Sequence, residues 1–176
     1  MQNQLELKLN VPTDSGTTQY LLSLGSNINP TENIIKAVKL LAPEVSILHV
    51  SSVWKSEAVG SDGPDFLNAA LLIQSKLAPA ELKMNVLSKI ENQLGRRRTE
   101  DKNSPRTIDI DILAENEIIL DLEIWTQAHL AVPASEIIPH LSQLETGMIL
   151  SDQAKKLAAR TKIFPAANMD LSRFLD

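Results

Sequence analysis

Two aspartates, Asp109 and Asp111, alternate with isoleucines in the segment 104–113. In a β-strand successive side chains point to opposite faces, so both carboxylates are predicted on one face, about 7 Å apart. Such a pair attracts a hard divalent cation, and Mg²⁺ held by one or two carboxylates usually also binds substrate phosphates. Arg106 adds a guanidinium suited to phosphate oxygens. The segment predicts metal-dependent phosphate chemistry, although the same alternation is also typical of a solvated strand face.

A second positive cluster follows Gly95, where Arg96, Arg97 and Arg98 lie at the predicted end of a helix. A helix C-terminus stabilises each nearby cation by about 0.3–1 kcal/mol, so capping accounts for part of the cluster. Three consecutive arginines exceed that role, and the polar segment 99–104 after them is typical of a loop. We interpret this region as a mobile lid that closes over phosphates; a solvated charged face is the alternative.

Bulk composition narrows the class of protein. The chain has 176 residues, which predicts one domain, and its 43% apolar content can build a core despite only 3% aromatic residues. A net charge of −5 argues against a nucleic-acid binder. The absence of cysteine suits a cytoplasmic protein. No apolar run approaches the ~18 residues of a membrane span. The polar segment 1–18 lacks a signal-peptide core and is predicted to be a flexible tail.

The elements that must position these residues follow a simple order. Four strands are predicted over 19–24, 47–55, 66–73 and 104–113, and a hairpin turn at Glu115-Asn116 leads into a further apolar segment over 118–120. One helix begins at Pro30 after an Asn29 cap, and a second begins at Pro79 and ends at Gly95. The order βαββαβ predicts a ferredoxin-like α+β fold with an antiparallel sheet and its helices on one face. Residues 19–176 are predicted to form one domain, whose C-terminal extension has an irregular segment over 123–139 and a final helix over 151–160.

Several short motifs follow one another along the chain. They are Leu24-Gly25-Ser26-Asn27, Val50-Ser51-Ser52 with Gly60 beyond it, Pro64-Asp65-Phe66-Leu67-Asn68-Ala69-Ala70, Ile90-Glu91, Gly95-Arg96-Arg97-Arg98 and Pro105-Arg106-Thr107-Ile108-Asp109-Ile110-Asp111-Ile112. In this order they resemble the 6-hydroxymethyl-7,8-dihydropterin pyrophosphokinase family of folate biosynthesis, over residues 20–150. The resemblance implies an enzyme that transfers diphosphate from ATP to the hydroxymethyl group of the dihydropterin, giving AMP and the pterin diphosphate.

The resemblance also implies roles on the phosphate side of the site. Asp109 and Asp111 would bind two Mg²⁺ ions that bridge the phosphates, which fits a reaction driven by positioning and charge neutralisation. The residues implied to be catalytic are Arg96, Arg106, Asp109 and Asp111. Those implied to bind ATP are Arg96, Arg98, Arg106, Ile112 and His140. The His140 assignment requires an insertion of about eleven residues within 120–138, and His129 beside Val132-Pro133 is a rival alignment.

On the acceptor side, the residues implied to bind the pterin are Ser56, Val59, Phe66, Asn68, Asp109 and Met148. The amide of Asn68 can both donate to and accept from a pyrimidinone edge, and Phe66 matches an aromatic residue on the ring face. The chain departs from the family at 56–59, where Thr-Pro-Pro is usual, and at Met148, where the family stacks a phenylalanine.

Three hypotheses about activity therefore remain open. The first is an active pterin pyrophosphokinase in the cytoplasm, with ATP and hydroxymethyldihydropterin as its substrates and an association with other folate-pathway enzymes. The second is a relative that keeps ATP and Mg²⁺ but uses another acceptor or works poorly. The third is a non-catalytic ferredoxin-like binding module, since that fold by itself does not define a function. Neither nucleic acid nor a membrane is expected as a partner.

Overall fold

The computed structural model describes residues 16–58, 63–97 and 105–175. The strands are β1 (Thr18–Ser26), β2 (Ser46–Val50), β3 (Trp54–Ser56), β4 (Phe66–Ser75), β5 (Asp109–Glu115), β6 (Ile118–Ile119) and β7 (Ile163–Pro165). The helices are α1 (Pro30–Leu41), α2 (Pro79–Leu82), α3 (Ser88–Gln93), α4 (Ala128–Ile137) and α5 (Leu150–Ala158). A π-helical turn, Lys83–Leu87, joins α2 to α3, and 3₁₀ turns occupy Leu122–Trp125 and Leu171–Phe174. The predicted tail lies outside the described residues as far as residue 15.

The described strands form one sheet in the order β6-β5-β1-β4-β3-β7, and β2 also pairs with β4. Every pairing between them is antiparallel. Together with the chain order of strands and helices, this confirms the predicted ferredoxin-like α+β fold. The register places Gly25 of β1 opposite Asp109 of β5 on one side and opposite Asn68 of β4 on the other. One row across the sheet therefore contains residues from both halves of the predicted site.

Helices α1 and α2–α3 cover one face of this sheet, as the sequence predicts. The core beneath them is mainly aliphatic because the chain has few aromatic residues. It includes Tyr20, Leu22, Leu24, Ile34, Val38, Leu71, Leu82, Leu87, Ile108 and Ile110, all buried. Alternate positions of the same strands, such as Leu21, Ala70 and Leu113, point to the opposite face. That face needs a second layer, because its apolar side chains would otherwise be exposed to water.

The C-terminal extension provides the second layer, and here the prediction of an irregular segment over 123–139 is wrong. Most of that segment is α4, with Pro133 inside the helix. A proline removes one backbone hydrogen bond and usually ends a helix. In α4 the buried Ala128, Ala131 and Ala134 allow close packing on the second core, together with α5. Burial of α4 against the second core thus outweighs the tendency of Pro133 to end the helix.

The predicted strand over 47–55 is also wrong in its middle, where the chain leaves the sheet between β2 and β3. The Ser51 backbone N–H donates to Ala70 O at 2.9 Å, and the Ser51 hydroxyl accepts from Ala70 N at 2.8 Å. These two bonds secure the break against β4, and β3 then pairs with residues 66–68.

Among the residues that the structure describes, no helix has both the length and the apolar character needed to cross a membrane.

Candidate active site

A pocket with a volume of about 200 Å³ lies on the sheet face that α4 covers. Its floor is the row in which Gly25 separates Asp109 from Asn68. Because Gly25 has no side chain, the space between the carboxylate and the amide stays open; a Cβ built there would lie 3.6 Å from Asn68 Oδ1. The other described lining residues are Ser23, Leu24, Ser56, Glu57, Ala58, Phe66, Arg106, Asp111, Asp121, Glu123, His129 and Leu130.

Asp109 and Asp111 both line this pocket, on the same face of β5. Ile108 and Ile110 are fully buried on the opposite face, and Ile112 packs partly buried against the same core. The Asp109 side chain is only 12% exposed, whereas that of Asp111 is 49% exposed. A buried carboxylate between two arginines is not a solvated outer face, so the alternative interpretation of the D-x-D segment does not describe this strand.

Arg96 and Arg106 both form ion pairs with Asp109. The position of Arg106 is set by its backbone: its N–H donates to Asn27 Oδ1 at 2.7 Å, and its carbonyl accepts from Asn27 N at 3.1 Å. Arg96 is set by its side chain, which donates to Glu91 Oε1 at 2.6 Å. The two guanidinium groups therefore approach the same carboxylate from different elements, and Arg106 also lines the pocket.

Glu91 is the buried centre of this arrangement, with 2% of its side chain exposed. Its Oε1 accepts from the Ile110 backbone N–H at 2.9 Å, from Arg96 at 2.6 Å and from Lys83 at 3.3 Å. Lys83 also lies 3.0 Å from Asp111 Oδ1. The sequence predicts neither the contacts of Glu91 nor the approach of Lys83 to Asp111. In a regular helix the spacing of residues 83 and 91 would not place Lys83 beside Glu91.

The two aspartates differ in their pKa because they have different neighbours. Burial, and then the charge of Asp111, raises the pKa of Asp109 above its usual range, against the opposing effect of Arg96 and Arg106. Burial also acts to raise the pKa of Asp111, but the ammonium group of Lys83 outweighs it, so the pKa of Asp111 is lowered. The negative charge of the pair is therefore held most firmly at Asp111.

The donor set fits Mg²⁺. Among the described residues, no group of three or more His, Cys, Asp or Glu side chains is arranged to hold a metal ion by itself. Asp109 and Asp111 provide hard carboxylate oxygens facing an open pocket. Mg²⁺ commonly takes one or two carboxylates and completes its coordination with water and substrate phosphates. Two carboxylates that face space for a polyphosphate are suited to that mode of binding.

The other end of the row carries a polar and aromatic surface. Asn68 is 3% exposed, and its Nδ2 donates to Ser56 Oγ at 2.9 Å and to the Trp54 carbonyl at 3.4 Å. This fixes the orientation of the amide with Oδ1 on the Gly25 side. Phe66 lines the pocket two residues before Asn68 on the same strand face. A flat heterocycle with hydrogen-bonding edges would find both a ring face and an amide there.

Comparison with known proteins decides the family. Residues 21–151 match the family model described as 7,8-dihydro-6-hydroxymethylpterin-pyrophosphokinase (HPPK). The chain belongs to this family. A Bacillus subtilis 2-amino-4-hydroxy-6-hydroxymethyldihydropteridine pyrophosphokinase is 36% identical over 138 residues, which cover 76% of this chain and 75% of that protein. The Haemophilus influenzae protein of the same name is 34% identical over 154 residues, covering 80% of this chain and 93% of the relative.

Other relatives of this HPPK chain are longer. An Arabidopsis thaliana folate synthesis bifunctional protein is 34% identical over 131 residues, and the match covers only 27% of that protein's length. A Plasmodium falciparum HPPK-DHPS structure superposes with a TM-score of 0.63 at 11% identity, covering 82% of this chain and 45% of that one. That structural likeness shows the fold alone. The chain thus spans most of the bacterial relatives and a minor part of the fused ones.

Not every residue assigned by resemblance to HPPK reaches the pocket. The lining contains Arg106, Asp109, Asp111, Ser56, Phe66 and Asn68, and Arg96 joins them through its ion pair with Asp109. The side chain of Ile112 lies on the opposite sheet face, against the first core. Arg98 and Val59 lie outside the described residues.

The structure places His140 and Met148 away from the described lining of this pocket. His140 Nε2 lies 3.4 Å from Glu117 Oε1, and both residues are exposed. Glu117 follows β5, so this contact is at the opposite end of the strand from Asp109. Met148 packs partly buried against the second core and is absent from the pocket lining. Most of the insertion assumed within 120–138 is α4, and the assignments of His140 to ATP and Met148 to the pterin stay predictions.

Helix α4 contributes His129 and Leu130 to the pocket in their place. The sequence contains one signal for this, the rival alignment of His129 beside Val132-Pro133. Burial, and next the positive charge of Arg106, lowers the pKa of His129, while Asp121 acts to raise it. The imidazole is therefore neutral at neutral pH and can present a ring face or a single N–H to a ligand.

We expect the NMR titration midpoint of His129 to lie below the ordinary value of about 6.5. Asp121→Asn should lower it further, because this change removes a negative charge that raises the pKa. Because the pKa of His129 is lower in the folded chain than in the unfolded chain, protonation of this histidine favours unfolding. The free energy of unfolding should therefore decrease as the pH falls below about 6.5. A midpoint at or above the ordinary value, in an assigned ¹H–¹³C spectrum, would contradict the placement of His129.

Proposed function

We propose that this HPPK-family chain transfers diphosphate from ATP to the hydroxymethyl group of 6-hydroxymethyl-7,8-dihydropterin. The observation that supports this most is the row across the sheet, in which Gly25 alone separates Asp109 from Asn68. A polyphosphate bound at the aspartates and a heterocycle bound at the amide would then meet in one pocket. The hydroxyl oxygen attacks the β-phosphorus, the bond from that phosphorus to the oxygen bridging the α-phosphorus breaks, and AMP leaves as the hydroxyl proton is released.

On the phosphate side, Asp109 and Asp111 would hold two Mg²⁺ ions. When bound, these ions neutralise phosphate charge and make the β-phosphorus more electrophilic. Arg96 and Arg106 bind phosphate oxygens from opposite sides of Asp109 and so orient the polyphosphate for in-line displacement. Arg98 as a further ATP contact remains a prediction outside the described residues.

On the acceptor side, Asn68 and Ser56 recognise the polar edge of the pterin, and Phe66 packs on its ring face. The Asn68 amide is oriented before the substrate arrives, since Ser56 Oγ and the Trp54 carbonyl accept from its Nδ2. Preorganisation of this kind lowers the ordering cost of binding. His129, on α4, supplies the facing surface in place of Met148. Val59 as a pterin contact lies outside the described residues and stays a prediction.

A second candidate is an enzyme of the same phosphate chemistry with a different acceptor. Glu57 favours it, because this acidic residue lines the pocket where the family usually has Pro, and its Oε1 pairs with Lys162 at 2.7 Å. An acceptor with extra N–H groups would bind this carboxylate in competition with the Lys162 ammonium group. Fusion of relatives to further folate-synthesis domains supports an association of this chain with other enzymes of that pathway. The cytoplasmic location stays a prediction from the sequence.

The decisive experiment measures AMP by chromatography after incubation with ATP, Mg²⁺ and hydroxymethyldihydropterin. We expect AMP and pterin diphosphate in equal amounts, and no AMP when 6-methyl-7,8-dihydropterin, which lacks the attacking hydroxyl, replaces the substrate. Omission of Mg²⁺ should reduce the rate to background. Release of ADP, or AMP formation that does not depend on the pterin, would exclude the proposed reaction.

A further inference from the structure

Lys83 contacts the pair of carboxylates that is proposed to bind metal, but the proposed reaction gives this lysine no role. Its ammonium group contacts Asp111 Oδ1 at 3.0 Å, Glu91 Oε1 at 3.3 Å and the Ile110 carbonyl. An ammonium group has three N–H donors, and these acceptors match that number. The Lys83 side chain is 28% exposed, so it is held within the site rather than extended into solvent.

The π-helical turn explains why Lys83 reaches this position. In a regular α-helix, residues 83 and 91 would lie about 80° apart around the axis, whereas the extra residue of a π turn brings them within about 20°. The turn Lys83–Leu87 does this while Leu82 and Leu87 both stay fully buried in the first core. Lys83 and Glu91 therefore share the helix face that lies against β5. The π-helical turn therefore positions the Lys83 ammonium group as well as keeping the core packed.

We propose that Lys83 is a positioning residue whose ammonium group stands in for a metal ion at Asp111 in the free protein. The inference rests on the proposed metal site at Asp109 and Asp111. A positive charge 3.0 Å from Asp111 Oδ1 repels a second cation at the same carboxylate. Metal binding by the free protein is thereby weakened. A nucleotide carries several negative charges, so Lys83 attracts the metal–nucleotide complex although it repels the metal ion alone.

The consequence is an order of events: metal enters with the nucleotide rather than before it. Lys83 also orients the Asp111 carboxylate before the ligands arrive, because the ammonium group bonds to it directly. A role confined to holding the helix against β5 would have a different signature. Loss of a purely structural contact would weaken metal and nucleotide binding together, whereas loss of a resident charge changes them in opposite directions.

The test is Mn²⁺ binding to the intact chain, measured by electron paramagnetic resonance of free Mn²⁺. Without nucleotide, Lys83→Met is expected to bind Mn²⁺ at least about tenfold more tightly than the wild type. Lys83→Gln, which keeps N–H donors but no charge, should show the same gain. In the double variant Lys83→Met/Asp111→Asn the gain should disappear. With α,β-methylene ATP and saturating Mg²⁺, Lys83→Met should bind the nucleotide severalfold more weakly, by calorimetry.

Lys89→Met is the matched control, since Lys89 is an exposed lysine of α3 whose loss changes the net charge equally. The proposal is overturned if Lys83→Met binds Mn²⁺ no more tightly than Lys89→Met, or if the gain survives Asp111→Asn. It is also overturned if metal and nucleotide binding both weaken in Lys83→Met and Lys83→Gln. Pterin-dependent AMP release by the wild type is measured separately, so failure of the proposed reaction is distinguished from failure of the Lys83 proposal.

Discussion

Asp109→Ala is expected to lower kcat at least about a thousandfold, because it removes a proposed metal ligand and the anion that both arginines face. Asp109 pairs with Arg96 and Arg106, lies on the pocket floor and occupies the same row as Asn68. No other described carboxylate combines these contacts. The measurement is the rate of AMP formation at saturating ATP, Mg²⁺ and pterin.

The same variant should stay folded. Loss of the carboxylate removes the cost of burying its charge together with its two ion pairs, so these effects on stability oppose each other. Arg96 keeps Glu91 as its partner in the variant. Asp109→Asn tests the loss of charge at nearly constant volume, and Asp152→Ala, at an exposed aspartate of α5, serves as the matched control. Activity of Asp109→Ala near that of Asp152→Ala would remove the metal assignment.

Glu91→Ala should have the largest effect on stability, a loss of about 3–5 kcal/mol in the free energy of unfolding. Its carboxylate is buried, and its removal leaves Arg96, Lys83 and the Ile110 N–H without this acceptor. For a chain of this size the midpoint of thermal unfolding would fall by about 6–20 °C. Activity should fall as well, since both cations then lose the group that orients them.

Denaturant unfolding of three variants separates the contributions. Glu91→Gln keeps an oxygen for the Ile110 N–H and loses only the charge, so its loss should be smaller than that of Glu91→Ala. Glu32→Ala is the matched control, because Glu32 is 61% exposed and pairs only along the surface of α1 with Lys36. That change should stay within about 0.5 kcal/mol. A loss below about 1 kcal/mol for Glu91→Ala would show that Glu91 does not organise the site.

The faces of β5 were predictable because alternation in a strand is a property of the backbone. Asp109 and Asp111 face the pocket while Ile108 and Ile110 are buried behind them, as the period of two requires. The first helix and the βαββαβ order were predictable for a similar reason: proline positions and apolar spacing are local signals. The predicted capping bond of Asn29 is wrong, since this residue has a left-handed backbone and its side chain makes no cap hydrogen bond. The family motifs depend on the same local stretches, and so the chain's membership of the family could be read from them.

The C-terminal half of the site was not predictable in this way. Pro133 indicates a broken helix, yet α4 forms because its alanines pack against the second core. The choice between His129 and His140 depends on which of them α4 and the sheet bring to the pocket. That is a long-range question, and spacing along the chain cannot answer it. His140 lies by Glu117 at the far end of β5, and His129 lies in the pocket.

By itself the sequence determined the family, the fold, the pairing of two aspartates on one strand face and the presence of nearby arginines, since each of these follows from residue type and local period. Only the tertiary structure decided how the two halves of the site meet. The antiparallel register sets Asp109 and Asn68 on either side of Gly25. A π turn rotates Lys83 toward Asp111, and a buried Glu91 holds Arg96 in place. Register, helix phase and burial arise from contacts between segments that are far apart in the chain, which is why no single stretch encodes them.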